Sequence, residues 1–329
     1  MATADSRGGA VSSRVLWRIA QLLLAITLVL FAWRTVRGQW DAVRESAATL
    51  QPSVGGLVVS ALVVLATYAL LLETWRLMLR AWGEPLGFWA AARIWFVSSF
   101  GKYVPGKVWA ISAMTVMSGR AGVSPVAAAG SAVIVQLLNL GAGVAVVVIA
   151  GGQALSGEFA WARPLAIAAL VLSVAGLIAA PFALPPLLRL ASRLTRRPLT
   201  TQRLPATALW SAAAANVVAW LLYGIAFRLF AAATLGEATG ATAGYIAVYT
   251  ASYLFGYLAF FAPGGVGVRE SVLVALMPQL GLASVGDAVL LAALSRLWIT
   301  ILEIVPGLLF LARDGLRARP TRTVDDGSS

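Results

Sequence analysis

The sequence predicts an all-α fold. It reads as a polytopic membrane helix bundle of about eight transmembrane helices, with one or two interrupted or re-entrant segments. Three observations carry that prediction. Of 329 residues, 60% are hydrophobic and 12% are charged, where a soluble domain carries about 25% charged residues. Apolar runs long enough to cross a bilayer, about 20 residues, recur from residue 15 to residue 311. Two further apolar stretches are each broken by a Pro-Gly pair. Residues 1–14 form an N-terminal segment, 15–312 one transmembrane domain, and 313–329 a disordered basic tail. Little is left to build a soluble catalytic domain.

The helices follow from the apolar runs in order. The first runs about Val15–Trp33, with Arg7, Arg14 and Arg18 before it and Arg34 and Arg37 after it. It carries no small-residue cleavage site, so it is read as retained rather than as a signal peptide. The second is about Val54–Leu79. A broken stretch, Phe88–Ser118, follows. The next are about Ser124–Ala150, Pro164–Leu187, Ala206–Ala232 and Ala243–Ala262. A short apolar segment, Val266–Leu280, would be about 22 Å long as a helix and is expected to cross. The last span is about Val285–Leu311. Small residues at Gly55-Gly56, Ala127–Gly130, Gly141, Gly143 and Ala212–Ala215 permit close helix contact. Tryptophans 33, 40, 82, 89, 109, 161 and 210 lie near helix ends, where interfacial anchors belong.

Charge sets the expected orientation. The net charge is +12, which in a soluble chain would suggest nucleic acid. Here the arginines flank apolar spans, so topology and anionic lipid explain them, and no nucleic-acid partner is expected. The loop Arg189–Arg203 holds five arginines and no acid. The N-terminal segment and the tail (Arg313, Arg317, Arg319, Arg322) are also basic. Eight crossings put every basic loop but 34–53 on the cytoplasmic side, with both termini there. A re-entrant Val266–Leu280 would move the tail outside. The expected location is the cell's inner membrane.

Two absences narrow the chemistry. The chain has no Cys and no His, which excludes thiolate nucleophiles, His-based triads and Cys or His metal ligands. Thirteen acidic residues, mostly in loops, offer little for a carboxylate site. No metal and no cofactor are expected.

The two breaks carry the most information. One is Lys102-Tyr103-Val104-Pro105-Gly106-Lys107. The other is Pro263-Gly264-Gly265-Val266-Gly267-Val268-Arg269-Glu270. Both follow an aromatic-rich helix end, and both place a cation close behind Pro-Gly. Pro removes a donor and Gly admits unusual dihedrals, so one helix ends and another begins. A new helix presents free N–H groups and the positive end of its dipole, a ready anion site. Paired interrupted segments point towards a central binding site. Both breaks are expected on the cytoplasmic side. Of 25 basic residues only Lys102 and Lys107 are lysines, and a compact point charge suits phosphate. Ordinary helix-connecting turns with snorkelling cations account for the same residues. Arg269 falls in the first turn of a helix, where its charge opposes the dipole. It needs a compensating anion: Glu270, a bound phosphate, or both. The candidate substrate-binding residues are therefore Lys102, Tyr103, Pro105, Gly106, Lys107, Pro263, Gly264, Gly265, Gly267, Arg269 and Glu270.

These motifs resemble a known family. Gly-Lys-Tyr-Val-Pro-Gly-Lys-Val-Trp (101–109), Gly-Arg-Ala-Gly-Val (119–123) and Ala-Pro-Gly-Gly-Val-Gly-Val-Arg-Glu (262–270) are similar to the lysylphosphatidylglycerol synthase transmembrane region, the flippase-like domain. The similarity covers about residues 15–312. It implies a bacterial or archaeal inner-membrane protein that moves lipids or lipid-linked headgroups between leaflets. Relatives occur alone, fused to aminoacyl-transferase domains, or beside envelope glycosyltransferases. Only some seventeen residues follow the last span, so no synthase activity is expected.

Charged and amide side chains within the spans form a second set. Glu73 and Arg76 share a helix face, as do Gln136 and Asn139. Asn216 and Arg228 lie in the fifth long run. Local pairing, interhelical hydrogen bonds and snorkelling explain most of these. Arg296 and Glu303, seven apart on one face, lie too deep for easy snorkelling. Glu303 is expected in the bundle interior, with Arg296 or a residue of another helix as partner.

The reading that follows is a non-enzymatic translocator of an anionic lipid or a polyprenyl-phosphate-linked envelope precursor. No ATP-binding motif appears, so Glu73 and Glu303 are candidate proton-linked carboxylates. A scaffold or regulatory subunit for an envelope glycosyltransferase or lipid-modifying enzyme is the alternative. A membrane glycosyltransferase fits less well, because no Asp-x-Asp occurs.

Overall fold

A computed structural model describes residues 52–103, 109–157, 159–195, 204–259 and 262–317, together with 44–45, 47–48 and 50. The first expected span, Val15–Trp33, lies outside the described residues. Every described element is helical. They are α1 (Val54–Ala81), α2 (Phe88–Ser99), α3 (Trp109–Arg120), α4 (Pro125–Ala150), the short α5 (Gly152–Ser156), α6 (Arg163–Thr195), α7 (Ala206–Leu235), α8 (Thr242–Leu258), α9 (Val268–Gln279) and α10 (Val285–Arg317). Two 3-10 turns, Phe100–Tyr103 and Pro263–Gly265, sit at the two breaks. Among the described residues, five stretches are long and apolar enough to cross a membrane: Val54–Ala81, Pro125–Ala150, Ala160–Ala183, Ala206–Leu235 and Val285–Asp314. The chain is a multi-pass membrane protein.

Helix ends follow local chemistry. The Ser124 side chain accepts from the Ala127 N–H at 3.2 Å, and Pro125 occupies the first helical position of α4. There it removes a donor that would have had no partner. Ser53 caps α1 through the Gly56 N–H at 3.3 Å. Small residues then set the spacing. A Cβ on Gly56 would lie 2.7 Å from the Ala233 Cβ. The Ser53 N–H donates to the Ala233 carbonyl at 2.7 Å, and the Ser60 hydroxyl donates to the Ala226 carbonyl at 2.9 Å. As α1 advances its partners on α7 recede, so the two run antiparallel in close contact.

The shorter helices pair into two hairpins. α2 and α3 pack on each other around the turn Phe100–Tyr103, and α8 and α9 around the turn Pro263–Gly265. The ends of each hairpin lie together. Glu84, before α2, accepts from the Ser124 N–H, beyond α3. Thr239 and Tyr245, at the start of α8, both donate to the Leu282 carbonyl, beyond α9, each at 2.9 Å.

α10 serves as a ruler for both hairpins. Arg93 of α2 pairs with Asp314 at 2.6 Å. Phe96 stacks on Phe310. Phe100 fills the space beside Gly307, where a Cβ would come within 2.5 Å of its ring. Lys102 pairs with Glu303. Beyond that point the other hairpin takes over, as Arg296 donates to the Gly264 carbonyl at 2.9 Å. At about 1.5 Å per residue, the second tip lies about 16 Å in from the start of α10 and the first about 21 Å in from its end, and the tips engage it about 10 Å apart. The hairpins thus enter from opposite ends of the bundle, and their tips touch near the middle.

This corrects the expectation that both breaks face one side. Break position along the chain does not reveal which way a hairpin points, because that depends on where its base is anchored. The expected crossing by Val266–Leu280 also needs revision. α9 has 12 residues, about 18 Å, against a hydrocarbon core of about 30 Å. Because α8 and α9 return to a common base, the pair leaves α10 on the same side whether or not its tip reaches the far interface. A re-entrant hairpin therefore does not displace the tail.

The order long helix, hairpin, long helix occurs twice, as α1–α4 and α7–α10, with α5 and α6 between. α2 packs on α10 and α8 packs on α4, so each hairpin leans on the closing helix of the other unit. With α1 antiparallel to α7, the two units form an inverted repeat. Among the described residues, Trp82 is the expected anchor that departs from that expectation. It is buried against Gly130, whereas Trp89 and Trp161 are more than 70% exposed at helix ends. Trp33 and Trp40 lie outside the described residues.

Candidate functional site

The candidate site is the junction of the two tips. In the second tip three glycines adopt left-handed backbone: Gly264 at φ 57°, Gly265 at φ 71° and Gly267 at φ 83°. A side chain would be strained at each. Gly265 also lies against Gly256 of α8, where an added Cβ would be 3.0 Å from the Gly256 Cα. This seats the tip on α8 and brings Arg269, in the first turn of α9, back against the same helix. Pro263 belongs to the turn by its backbone.

Glu270 closes the start of α9. Its carboxylate accepts from the Gly267 N–H at 2.8 Å and lies 3.4 Å from Arg296. Arg296 thus holds both the Gly264 carbonyl and Glu270. Two turns along α10, Glu303 pairs with Lys102 of the first tip. The expected shared face of Arg296 and Glu303 is present, but the two engage different hairpins rather than each other. The Tyr103 side chain and Pro105, Gly106 and Lys107 lie outside the described residues.

Arg269 is different. It is 3% exposed and no carboxylate pairs with it among the described salt bridges, Glu270 included. Its guanidinium lies 3.8 Å from the ring centre of Tyr253 and 5.0 Å from that of Tyr249. Such contacts contribute about 2 kcal/mol when desolvated. Ring faces do not satisfy in-plane donors, however, and Nε and Nη2 are buried without a hydrogen-bond partner. Each such orphan costs on the order of 1–3 kcal/mol. An acceptor with two oxygens in one plane, a phosphate or carboxylate, would engage both.

The surroundings include residues that sequence reasoning did not single out. Five of the seven tyrosines converge here: Tyr68 from α1, Tyr223 from α7, and Tyr249, Tyr253 and Tyr257 from α8. Their rings touch in sequence, Tyr68 with Tyr223 at 6.1 Å, Tyr223 with Tyr253 at 6.3 Å, and Tyr253 with Tyr257 at 6.3 Å. Glu303 is within electrostatic reach of all five. The available signal was the stripe 245, 249, 253, 257 at a four-residue interval, which keeps one face of a helix.

The other polar residues are divided. Gln136 of α4 faces Tyr257. The Asn139 amide donates to the Asn216 oxygen at 2.9 Å, and the Trp220 indole donates to the Asn139 carbonyl at 2.9 Å. The interhelical role expected for Asn139 is therefore present. Glu73, Arg76 and Arg80 form a local ion cluster on α1. Arg76 also donates to the Leu86 carbonyl at 2.9 Å, so this cluster anchors the base of the first hairpin and stands apart from the tips. Among the described residues no three His, Cys, Asp or Glu side chains gather as a metal site would need.

No curated protein matches the chain. A family model does match: the lysylphosphatidylglycerol synthase TM region, over residues 18–307. That match takes in both hairpins, both tips and Arg269, and the chain belongs to this family.

Proposed function

We propose that this protein translocates an anionic lipid, or a polyprenyl-phosphate-linked envelope precursor, by holding the phosphate at the junction of the two hairpin tips. One observation carries the reading: a buried Arg269 with two orphaned N–H donors at the meeting point of two broken segments. The inverted repeat adds to it, since opposed broken helices around a central site suit alternating access. In this reading the protein sits in the inner membrane with both termini cytoplasmic. It acts as a transporter rather than an enzyme, and its lipid comes from, or passes to, a lipid-modifying enzyme or glycosyltransferase of the envelope. Arg269 binds the phosphate through its fork, while Lys102 and Arg296 keep the surroundings positive without losing their carboxylate partners.

The test is headgroup accessibility in reconstituted vesicles containing a fluorescent anionic lipid. Removing both donors, at about 1.5–3 kcal/mol per charged hydrogen bond, predicts that Arg269→Ala slows translocation at least tenfold, with Arg269→Lys retaining part of the rate. An Arg269→Ala protein that folds and translocates at the wild-type rate would refute the reading.

A further inference from the structure

The junction also gathers what a proton needs. The chain has no histidine and no cysteine, so carboxylates are the side chains left to exchange protons near neutral pH. Two of them lie at the tips. Glu270 accepts from the Gly267 N–H at 2.8 Å, within its own tip, and faces Arg296. Glu303 is paired across the bundle, with Lys102 of the other hairpin. Glu73, the other acid of the sequence analysis, stays with Arg76 and Arg80 of its own helix. The elements around Glu303 present charged or titratable groups to it. Lys102 faces it from the first tip, Arg269 from α9, Tyr68 from α1, Tyr223 from α7, and Tyr249, Tyr253 and Tyr257 from α8. Arg296, two turns along the same helix, is engaged with Gly264 and Glu270, and Arg93 of α2 with Asp314. Lysine and tyrosine ordinarily exchange protons near about pH 10, and arginine stays charged. Lys102 and Arg269 both stabilise the Glu303 carboxylate. A phosphate bound by Arg269 offsets one of those cations and adds a negative charge within the same reach. Both changes favour the carboxylic acid over the carboxylate. Coupling is reciprocal, so a proton on Glu303 favours the anion to the same extent.

We propose that Glu303 takes up one proton when the junction binds its anion, so that lipid and proton cross the membrane together. The proposal rests on the phosphate reading above and adds the ion that accompanies the lipid. The step is a protonation: a proton from water on the side of entry converts the Glu303 carboxylate to a carboxylic acid, and it returns to water on the side of release. Lys102 stays beside Glu303 and donates to the uncharged acid, while its charge serves the phosphate. A singly charged headgroup and one proton carry no net charge, so the membrane potential neither drives nor opposes their joint movement.

The test is the affinity of the full-length protein in detergent for fluorescent phosphatidylglycerol, measured from about pH 5.5 to about pH 8. That phosphodiester keeps one charge over this range, whereas a phosphomonoester titrates near about pH 6, so the probe adds no pH dependence of its own. One proton per lipid predicts an affinity that rises with acidity by up to about tenfold per pH unit. Glu303→Gln imitates the protonated acid. It should bind at every pH as tightly as the wild type does at the acid end, a gain that misfolding cannot produce. Glu73→Gln should keep the wild-type slope. In vesicles, an acid exterior should draw the probe into the inner leaflet through the wild-type protein, and Glu303→Gln should ignore the gradient. A wild-type affinity independent of pH, a slope that survives Glu303→Gln, or wild-type transport indifferent to the gradient overturns the proposal and leaves the phosphate reading intact. Failure of the lipid to bind at any pH removes both.

Discussion

Arg269 and its neighbours show how much a single residue in a membrane core depends on its partners. The sequence places a cation in the first turn of a helix after Pro-Gly-Gly, which already requires a compensating group. Glu270, the nearest carboxylate in sequence, turns out to cap Gly267 and approach Arg296, leaving Arg269 to the tyrosines. The ion pairs are of another kind. Lys102 and Glu303 are 201 residues apart and partly shielded, with side chains 34% and 16% exposed. A pair in that regime should couple by about 1–3 kcal/mol, between the exposed and fully buried limits. A double-mutant cycle of Lys102→Met and Glu303→Gln in thermal unfolding is expected to return that coupling, and a value near zero would show that the pair does not tie the tip to α10. Glu303 was legible as an interior residue from its depth, but its partner was not. A seven-residue interval fixes a shared helix face and says nothing about which distant segment packs on it.

The elements were legible wherever an apolar run exceeded a membrane's thickness, because length and composition alone define such a helix. The breaks were legible too, since Pro-Gly has local conformational consequences. The hairpins were not. Whether a 12-residue helix crosses or turns back is decided by contacts such as Tyr245 with Leu282 and Glu84 with Ser124, none of which has a sequence signal. Gly265 links the two levels. It has φ 71° and touches the Gly256 backbone, so both dihedral strain and contact oppose a larger side chain. Gly265→Val should destabilise the protein by about 2–4 kcal/mol, visible as a lowered unfolding temperature in detergent. Gly55→Val, at an exposed position with no neighbour within 4 Å, should cost less than about 1 kcal/mol. Equal shifts for the two variants would mean that the tip is not seated on α8.

At the scale of the molecule, two opposed hairpins within an inverted repeat meet tip to tip at one junction. The sequence does not disclose the repeat, because apolar residues substitute for one another freely and leave little trace of common pattern. The absence of native cysteine makes the arrangement testable. Ala121 follows the first hairpin and Glu237 precedes the second, and both are exposed. In intact cells an impermeant thiol reagent should label Glu237→Cys and spare Ala121→Cys, and labelling of both from one side would show that the hairpins share a face. The most direct measurement concerns Arg269 itself: a high-resolution cryo-electron microscopy map of the protein in nanodiscs of anionic lipid. The predicted result is phosphate density between the two tips, within about 3 Å of Arg269 Nε and Nη2. A map in which both nitrogens bind only protein atoms, with every lipid phosphate confined to the bilayer surfaces, would contradict it.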